Sequence, residues 1–345
     1  MSESNKSFKH YKSYSLINHN TFGINAIADD FYEYYSIESL ENILQNYIYK
    51  GIKILSIGSG SNILFLSDFK GVVLHSKISE LNIEKESDNE VIISAGAGVI
   101  WDDLVNWCVE HGFGGVENLS LIPGTAGAAA VQNIGAYGVE LKDVFYKVEG
   151  VFIKDSARFV YYLNDCKFDY RYSIFKDTLK DKVVITKLFL RLNKKPVFNL
   201  EYGAIKEELE KQKMPVTLQN IRNTIISIRN SKLPDPSITG NAGSFFKNPV
   251  VSAEIFSQIR KNNPDIPYYI VEQEKSYKIP AGWLIEQAGW KGKQMGRAGV
   301  HSNQALVLVN LGGATGKEII ELAQAIENDI REKFGIGIER EVNVV

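Results

Sequence analysis

Apolar residues at Ile37, Leu40, Leu44 and Tyr47 recur at intervals of three and four, which puts them on one helix face. Gly51 follows as a stop signal, and the apolar run 52–57 reads as a buried strand feeding the small-residue turn Gly58-Ser59-Gly60-Ser61-Asn62. Residues 91–94 predict another strand, followed by a turn and a helix over about 99–110. Three β-type segments come next, at 144–152, Arg158–Tyr162 and 183–192. Helical spacing returns from Thr217, with Ile221, Ile225 and Ile228 on one face, and Leu233-Pro234-Asp235-Pro236 then breaks the chain as a candidate interdomain linker. Past the break, Ala253–Asn262 and 281–288 read as helices and 305–310 as a short apolar strand. The final helix starts at Thr315, whose hydroxyl caps the first turn while Glu318 completes a capping box. Its apolar stripe is Ile319, Leu322, Ile326, Ile330 and Phe334. Strands and helices mix without a strict βαβ rhythm, so the expected class is α+β rather than a doubly wound sheet.

One segment fits neither period. Residues 118–139 run for 22 positions between Glu117 and Glu140 without a charged side chain. The stretch contains Pro123, Gln132, Asn133 and four glycines (Gly124, Gly127, Gly135, Gly138), too many glycines and amides for a lipid-facing helix. Small side chains over such a length let another group approach the backbone. One reading is a diphosphate site, because main-chain N–H groups bind anions without Lys or Arg. The other is a tight packing corner.

Length and composition allow two or three domains with a sizeable core, and 23% charged against 44% hydrophobic residues is ordinary for a soluble globular protein. A net charge of −2 provides no field to recruit nucleic acid or an anionic membrane. Cys108 and Cys166 have no metal-ligand spacing and read as reduced thiols, and the five histidines form no HExxH or paired pattern, so no metal is expected. The polar segment 1–10 lacks an apolar signal core, which points to the cytoplasm. Gly96-Ala97-Gly98 only partly matches a dinucleotide fingerprint, because Trp101 stands where the third glycine belongs. Gly316-Lys317 is followed by Glu318 rather than the Ser or Thr of a P-loop, and Gly-x-Ser-x-Gly is absent.

Four constellations carry chemistry. Ser244, in Asn241-Ala-Gly-Ser-Phe-Phe-Lys-Asn-Pro249, is either a proton donor or a turn serine. Arg171, among Tyr170, Tyr172 and Phe175, could fork onto a substrate carboxylate or form a plain salt bridge. Glu339 and Glu341 would share one side of a strand or a solvated edge. Lys232 is a phosphate partner or a solvated helix end.

Together these segments resemble UDP-N-acetylenolpyruvoylglucosamine reductase, in that family's order from about residue 20 onward. The resemblance is carried by Gly58–Asn62, Pro123-Gly124-Thr125-Ala-Gly127-Ala128-Ala-Ala130-Val-Gln132-Asn133-Ile-Gly135-Ala136-Tyr137-Gly138, Tyr170-Arg171, Asn241–Pro249, the segments 281–291 and 301–310, and Ile338-Glu-Arg-Glu341-Val342. It implies a vanillyl-alcohol-oxidase (PCMH-type) FAD-binding domain of two α+β subdomains, at 1–72 and 73–232, the second joined by 336–345. A separate α+β substrate-binding domain would span 233–335. By the same resemblance non-covalent FAD lies along 58–62 and 123–138, NADPH is the hydride donor, and the substrate is UDP-N-acetylglucosamine enolpyruvate, reduced to UDP-N-acetylmuramate.

The roles implied are Arg171 on the developing charge, Ser244 as proton donor and Glu341 as the third catalytic residue. Glu341 must be protonated, or tied to a cation or water, beside an enolate. Tyr170, Tyr202, Lys232, Asn248 and Gln304 match substrate contacts, with Tyr202 the covering tyrosine of the longer family form. Ala130 departs from a usual proline, and Tyr172 from a small or acidic residue. A monomer is expected. The competing readings are an oxygen-using flavin oxidase on the same fold and a non-catalytic nucleotide-binding protein.

Overall fold

The computed structural model of the chain describes residues 8–47, 51–201, 204–271 and 275–345. They fall into two compact units. One takes the chain through Tyr14, then Ala28–Ser59 and Phe69–Ser231; the other takes Ser15–Ile27, Gly60–Asp68 and Lys232–Val345. The border at Lys232 lies beside the Pro-Asp-Pro break read from the sequence.

Two larger sheets lie among the described residues of the first unit. In one, the strands run in the order Phe8–Ser15, Ile27–Tyr34, Phe69–Ser76, Ile54–Ile57, the last three mutually parallel. The helix Ile37–Gln45 starts at Ser36, whose hydroxyl accepts from Ser39 N. It buries Leu40, Ile43 and Leu44 against Tyr32, Tyr34, Val72 and Leu74, the stripe its spacing predicts. The other sheet is antiparallel in the order Arg158–Tyr162, Phe145–Phe152, Val183–Asn193, Glu90–Gly96, Leu81–Glu86. Its central strand buries Val184, Leu188, Leu190 and Leu192.

The helix Trp101–Glu110 packs Leu104, Val105 and Cys108 into the same core. Gly96 and Gly98 lie so near the carbonyls of Ile78 and Ser76 that a Cβ would stand 2.4 and 2.5 Å from them. Close packing accounts for this glycine pair. Burial pushes both thiols up, Cys166 to about 12, so neither is a ready nucleophile at neutral pH. The helix Leu218–Lys232 buries Ile221, Ile225 and Ile228 against Ile205 and Leu209 of the polar helix Ile205–Lys211.

The second unit has a sheet in the order Gly240–Ser244, Val307–Asn310, Ala298–Val300, Gln294–Met295, and a smaller one of Val250–Ser252, Ser276–Lys278 and Tyr269–Val271. The strand expected from residue 305 starts at Val307, because Val307 N first closes a turn onto Gln304 O at 3.0 Å. The helix Gly316–Phe334 carries the full capping box: Glu318 N donates to Thr315 Oγ1 at 3.2 Å and Thr315 N to Glu318 Oε2 at 2.8 Å. Gly335, at φ 71°, ends it. Residues 336–345, attached from sequence to the segment 73–232, lie in this unit, where Asn343–Val344 pairs in parallel with Ile63–Leu64. Among the described residues no helix is long and apolar enough to cross a membrane.

Candidate active site and cofactor cradle

The charge-free run folds as a 3-10 turn at Glu117–Leu119, a short helix Ala126–Ala129 and the small hairpin Gly135–Ala136 with Val139–Glu140. Its middle is zipped to the segment before the helix Trp101–Glu110. Ala126 N donates to Val99 O at 2.8 Å, Gly127 N to Ala97 O at 3.1 Å and Trp101 N to Gly124 O at 3.1 Å. The Ala126 and Gly127 amides therefore serve the fold. Gly127 contributes its lack of bulk, since a Cβ would lie 2.7 Å from Ala97 Cβ. Gly58 comes equally close from the other predicted loop: its Cβ would stand 2.5 Å from Thr125 Oγ1 and 3.3 Å from Ala128 Cβ. The packing-corner reading describes the observed contacts. The run also brings two glycine-rich backbones together.

The flanking carboxylates and amides brace the loop. Glu117 is buried and accepts from Gly115 N at 2.6 Å; burial raises its pKa. Asn133, at φ 47°, gives its side chain to Glu140 Oε2 at 2.9 Å and Asp169 O at 3.0 Å, while accepting from Lys142 N at 3.0 Å. Its carboxamide is thus engaged within the loop. Asn118 Nδ2 holds Tyr137 O and Asn199 O, each at 2.9 Å.

Arg171 stands at the tip of a four-residue turn closed by Tyr172 N to Asp169 O at 3.0 Å. Its φ of 55° is the left-handed position such a turn normally gives to Gly or Asn. Arg171 Nη2 donates to Gly135 O at 2.9 Å, and its guanidinium lies 5.7 Å from the Tyr170 ring centroid. Tyr172 turns away, its hydroxyl donating to Asp177 Oδ2 at 2.8 Å, so the unusual residue does not crowd the guanidinium. Ala130 is fully buried.

Ser244 ends the strand Gly240–Ser244 opposite Val307, directly after Gly243 at φ 68°. It is half-buried, and its hydroxyl makes no hydrogen bond among the described residues. Glu341 is close by along the backbone: Glu341 N donates to Phe245 O at 2.8 Å, and Phe246 bridges Arg340. Glu341 is buried, and its main-chain carbonyl accepts from Asn62 Nδ2 at 3.3 Å. Asn248 and Gln304 each approach the start of the helix Ala281–Gln287. Asn248 Oδ1 accepts from Ala281 N at 2.9 Å, and Gln304 Oε1 lies 3.4 Å from where a Cβ on Gly282 would be. Lys232 is exposed with no ion pair among the described residues. Tyr202 lies outside the described residues.

Two arginines went unread in the sequence. Arg222 is buried and grips Asp102 through two bonds of 2.7 and 2.9 Å; Asp102 also accepts from Leu121 N at 2.5 Å. Burial alone would raise the Asp102 pKa, but Arg222 and Leu121 N bring it below the usual range. Arg229, two turns on along the same helix, has no such partner. Their signal was a cation on the apolar side of a helix, a pattern that needs its partner in space to be recognised.

A family model described as an FAD binding domain matches residues 32–155, and one described as the C-terminal domain of UDP-N-acetylenolpyruvoylglucosamine reductase matches 235–345. The residues fit such a cofactor, with bulkless backbone at Gly58 and Gly135, positive-φ turns at Gly124 and Gly138, and no carboxylate within the run. The chain is 48% identical to the UDP-N-acetylenolpyruvoylglucosamine reductase of Bacteroides fragilis over 97% of its length and 99% of the relative's. For the namesakes from Porphyromonas gingivalis and Bdellovibrio bacteriovorus the identities are 45% (97% and 98% covered) and 42% (95% and 97% covered). The crystal structure of the Thermus caldophilus reductase superposes with a TM-score of 0.68 over 98% of both chains at 23% identity, so the fold is shared as well. An α+β FAD-binding flavoprotein whose relatives match it end to end, the chain belongs to the UDP-N-acetylenolpyruvoylglucosamine reductase family.

Proposed function

We propose that the protein uses NADPH to reduce the enolpyruvyl group of UDP-N-acetylglucosamine enolpyruvate, yielding UDP-N-acetylmuramate for peptidoglycan synthesis. FAD, when bound, supplies the redox ring that passes a hydride from NADPH to the substrate. The chain's own residues have to manage charge and protons. As a C–H bond forms at the terminal vinyl carbon, the π electrons move toward the neighbouring carbon and its carboxylate. Arg171 meets that charge with a fixed guanidinium. The Ser244 O–H bond breaks as a new C–H bond forms beside the carboxylate. Glu341, buried and fixed through its main chain to Asn62 and Phe245, is the group that manages the proton returning to Ser244. Tyr170, Tyr202, Lys232, Asn248 and Gln304 are proposed to hold the substrate, with Lys232 on its diphosphate.

The observation that carries this reading is the half-buried Ser244 hydroxyl, without a hydrogen-bond partner among the described residues and on the segment whose backbone binds Glu341. The test is NADPH consumption by flavin-loaded protein with and without the enolpyruvyl substrate. Strong substrate dependence is expected. Oxidation that is fast with oxygen and indifferent to substrate would mean an oxidase, and protein that takes up no FAD would mean neither.

A further inference from the structure

We infer that Arg340 is a positioning residue for Glu341, holding it in register with Ser244 through a clamp on the long helix Gly316–Phe334. The inference rests on the functional reading above, in which Glu341 handles the proton returning to Ser244, and adds a residue to it.

The segment that carries Glu341 has little regular structure of its own. Phe246 and Arg340 form an isolated antiparallel bridge, bounded by Lys247 N to Glu339 O and Glu341 N to Phe245 O, each at 2.8 Å. Strand pairing resumes only at Asn343. A bridge one residue long fixes the path of a chain better than its rotation about its own axis.

The Arg340 side chain supplies the missing restraint. Its Nε and Nη2 donate to the two carboxylate oxygens of Glu327, the second at 2.8 Å, and Nη2 also donates to Gln324 Oε1 at 3.0 Å. A planar guanidinium held through two nitrogens has its orientation fixed, which an ammonium group does not. The Glu327 side chain is 12% exposed and that of Arg340 28%. Solvent therefore screens this pair far less than the neighbouring pair of Lys247 with Glu339, whose carboxylate is 80% exposed. Successive side chains of an extended chain leave on opposite sides. Turning Arg340 onto the helix thus turns Glu341 away from it, to the buried side on which it lies.

The anchor is fixed with respect to Ser244. Glu327 follows the buried Ile326 on a helix capped by Thr315 at one end and ended by Gly335 at the other. That helix packs on the strands Ala298–Val300 and Val307–Asn310, and Val307 is the partner of Ser244 across the sheet. Arg340 therefore ties the Glu341 segment to the frame that holds Ser244, by a route independent of the 245–247 backbone.

The test is Arg340→Met, Arg340→Lys and the double variant Arg340→Met with Glu327→Met, in the full, FAD-loaded chain. Flavin reduction by NADPH and its reoxidation by the enolpyruvyl substrate are followed separately. Arg340→Met should keep the FAD content and the NADPH rate of wild type, while reoxidation slows about ten- to a hundredfold, the scale of a misplaced reacting group. Its melting temperature should fall, because a shielded carboxylate is left without its partner. The double variant removes that carboxylate and should regain melting temperature while reoxidation stays slow. Arg340→Lys keeps the charge without the fork and should fall between wild type and Arg340→Met. Reoxidation that recovers together with melting temperature in the double variant would show a pair acting through stability alone, and would overturn the inference. A wild-type reoxidation rate in Arg340→Met, or equal slowing of both half-reactions, would overturn it too. The double and Lys variants still decide if Arg340→Met fails to fold. Wild-type protein whose reduced flavin is not reoxidised by the enolpyruvyl substrate would sink the parent reading instead.

Discussion

Arg171 Nη2 donates to the carbonyl of Gly135 at 2.9 Å, tying the tip of the 169–172 turn to the charge-free loop. One bond of a planar fork is used for position, and the φ of 55° shows the backbone accepting strain to put it there. Arg171→Lys keeps the charge but cannot both hold Gly135 and reach a second group. Turnover should fall by about 100-fold or more, the scale of losing one fixed donor to a developing oxyanion. FAD content should be unaffected. Loss of FAD with unaltered turnover per flavin would show Arg171 to be a loop brace alone.

Ser244→Ala removes a hydroxyl with no partner among the described residues, so the fold should tolerate it. Stopped-flow reduction of the flavin by NADPH should proceed at the wild-type rate. Reoxidation by the enolpyruvyl substrate should slow by about two to four orders of magnitude, the usual contribution of a positioned proton donor. Equal slowing of both half-reactions would make Ser244 structural.

Gly58→Ala places a methyl group 2.5 Å from Thr125 Oγ1. A clash of that size should cost about 1–3 kcal/mol and release FAD. Thr125→Ala in the same chain removes the clashing atoms and should restore much of both losses. Calorimetry and the flavin-to-protein absorbance ratio read the two effects, and no rescue would mean that Gly58 acts elsewhere.

The Glu318 carboxylate is held down to about 2, first by Thr315 N and then by Arg297 and the Thr315 hydroxyl. A carboxylate depressed on folding stabilises the protein above its unfolded pKa, near 4.5, and loses that contribution as pH falls toward 2. Wild type should therefore melt above Glu318→Gln at pH 6, with the gap closing between pH 4.5 and 2. A gap that stays constant with pH would assign the effect to shape rather than charge.

Regular periods made much of the fold legible. The stripe Ile319–Phe334 and the box at Thr315 and Glu318 are local, so the helix Gly316–Phe334 could be read from its own residues. Phe8–Ser15 could not, because it is a largely exposed strand at the end of its sheet with polar residues on both faces. Phe69–Ser76 was missed for the opposite reason: residues 71–76 are buried throughout and show no alternation. The candidate site was legible through family motifs, in which Arg171, Ser244 and Glu341 are fixed by neighbours in sequence. Arg229 was not. A buried arginine becomes informative only when its surroundings are seen, and Asp102 and Tyr137, whose charges reach this one, lie about a hundred residues away in the chain.

The second unit is assembled from three stretches, 15–27, 60–68 and 232–345. Gly316 leaves room for the Phe65 carbonyl, Gly240 for that of Phe22, and Leu66 N reaches Val345 O at 2.8 Å. During synthesis, residues 60–68 leave the ribosome on the order of tens of seconds before 343–345 do. The first unit can begin to fold on either side of them while they still lack their strand partner. Their order therefore comes last, and a fragment cut at Lys232 would emerge without two of the three stretches its own core requires.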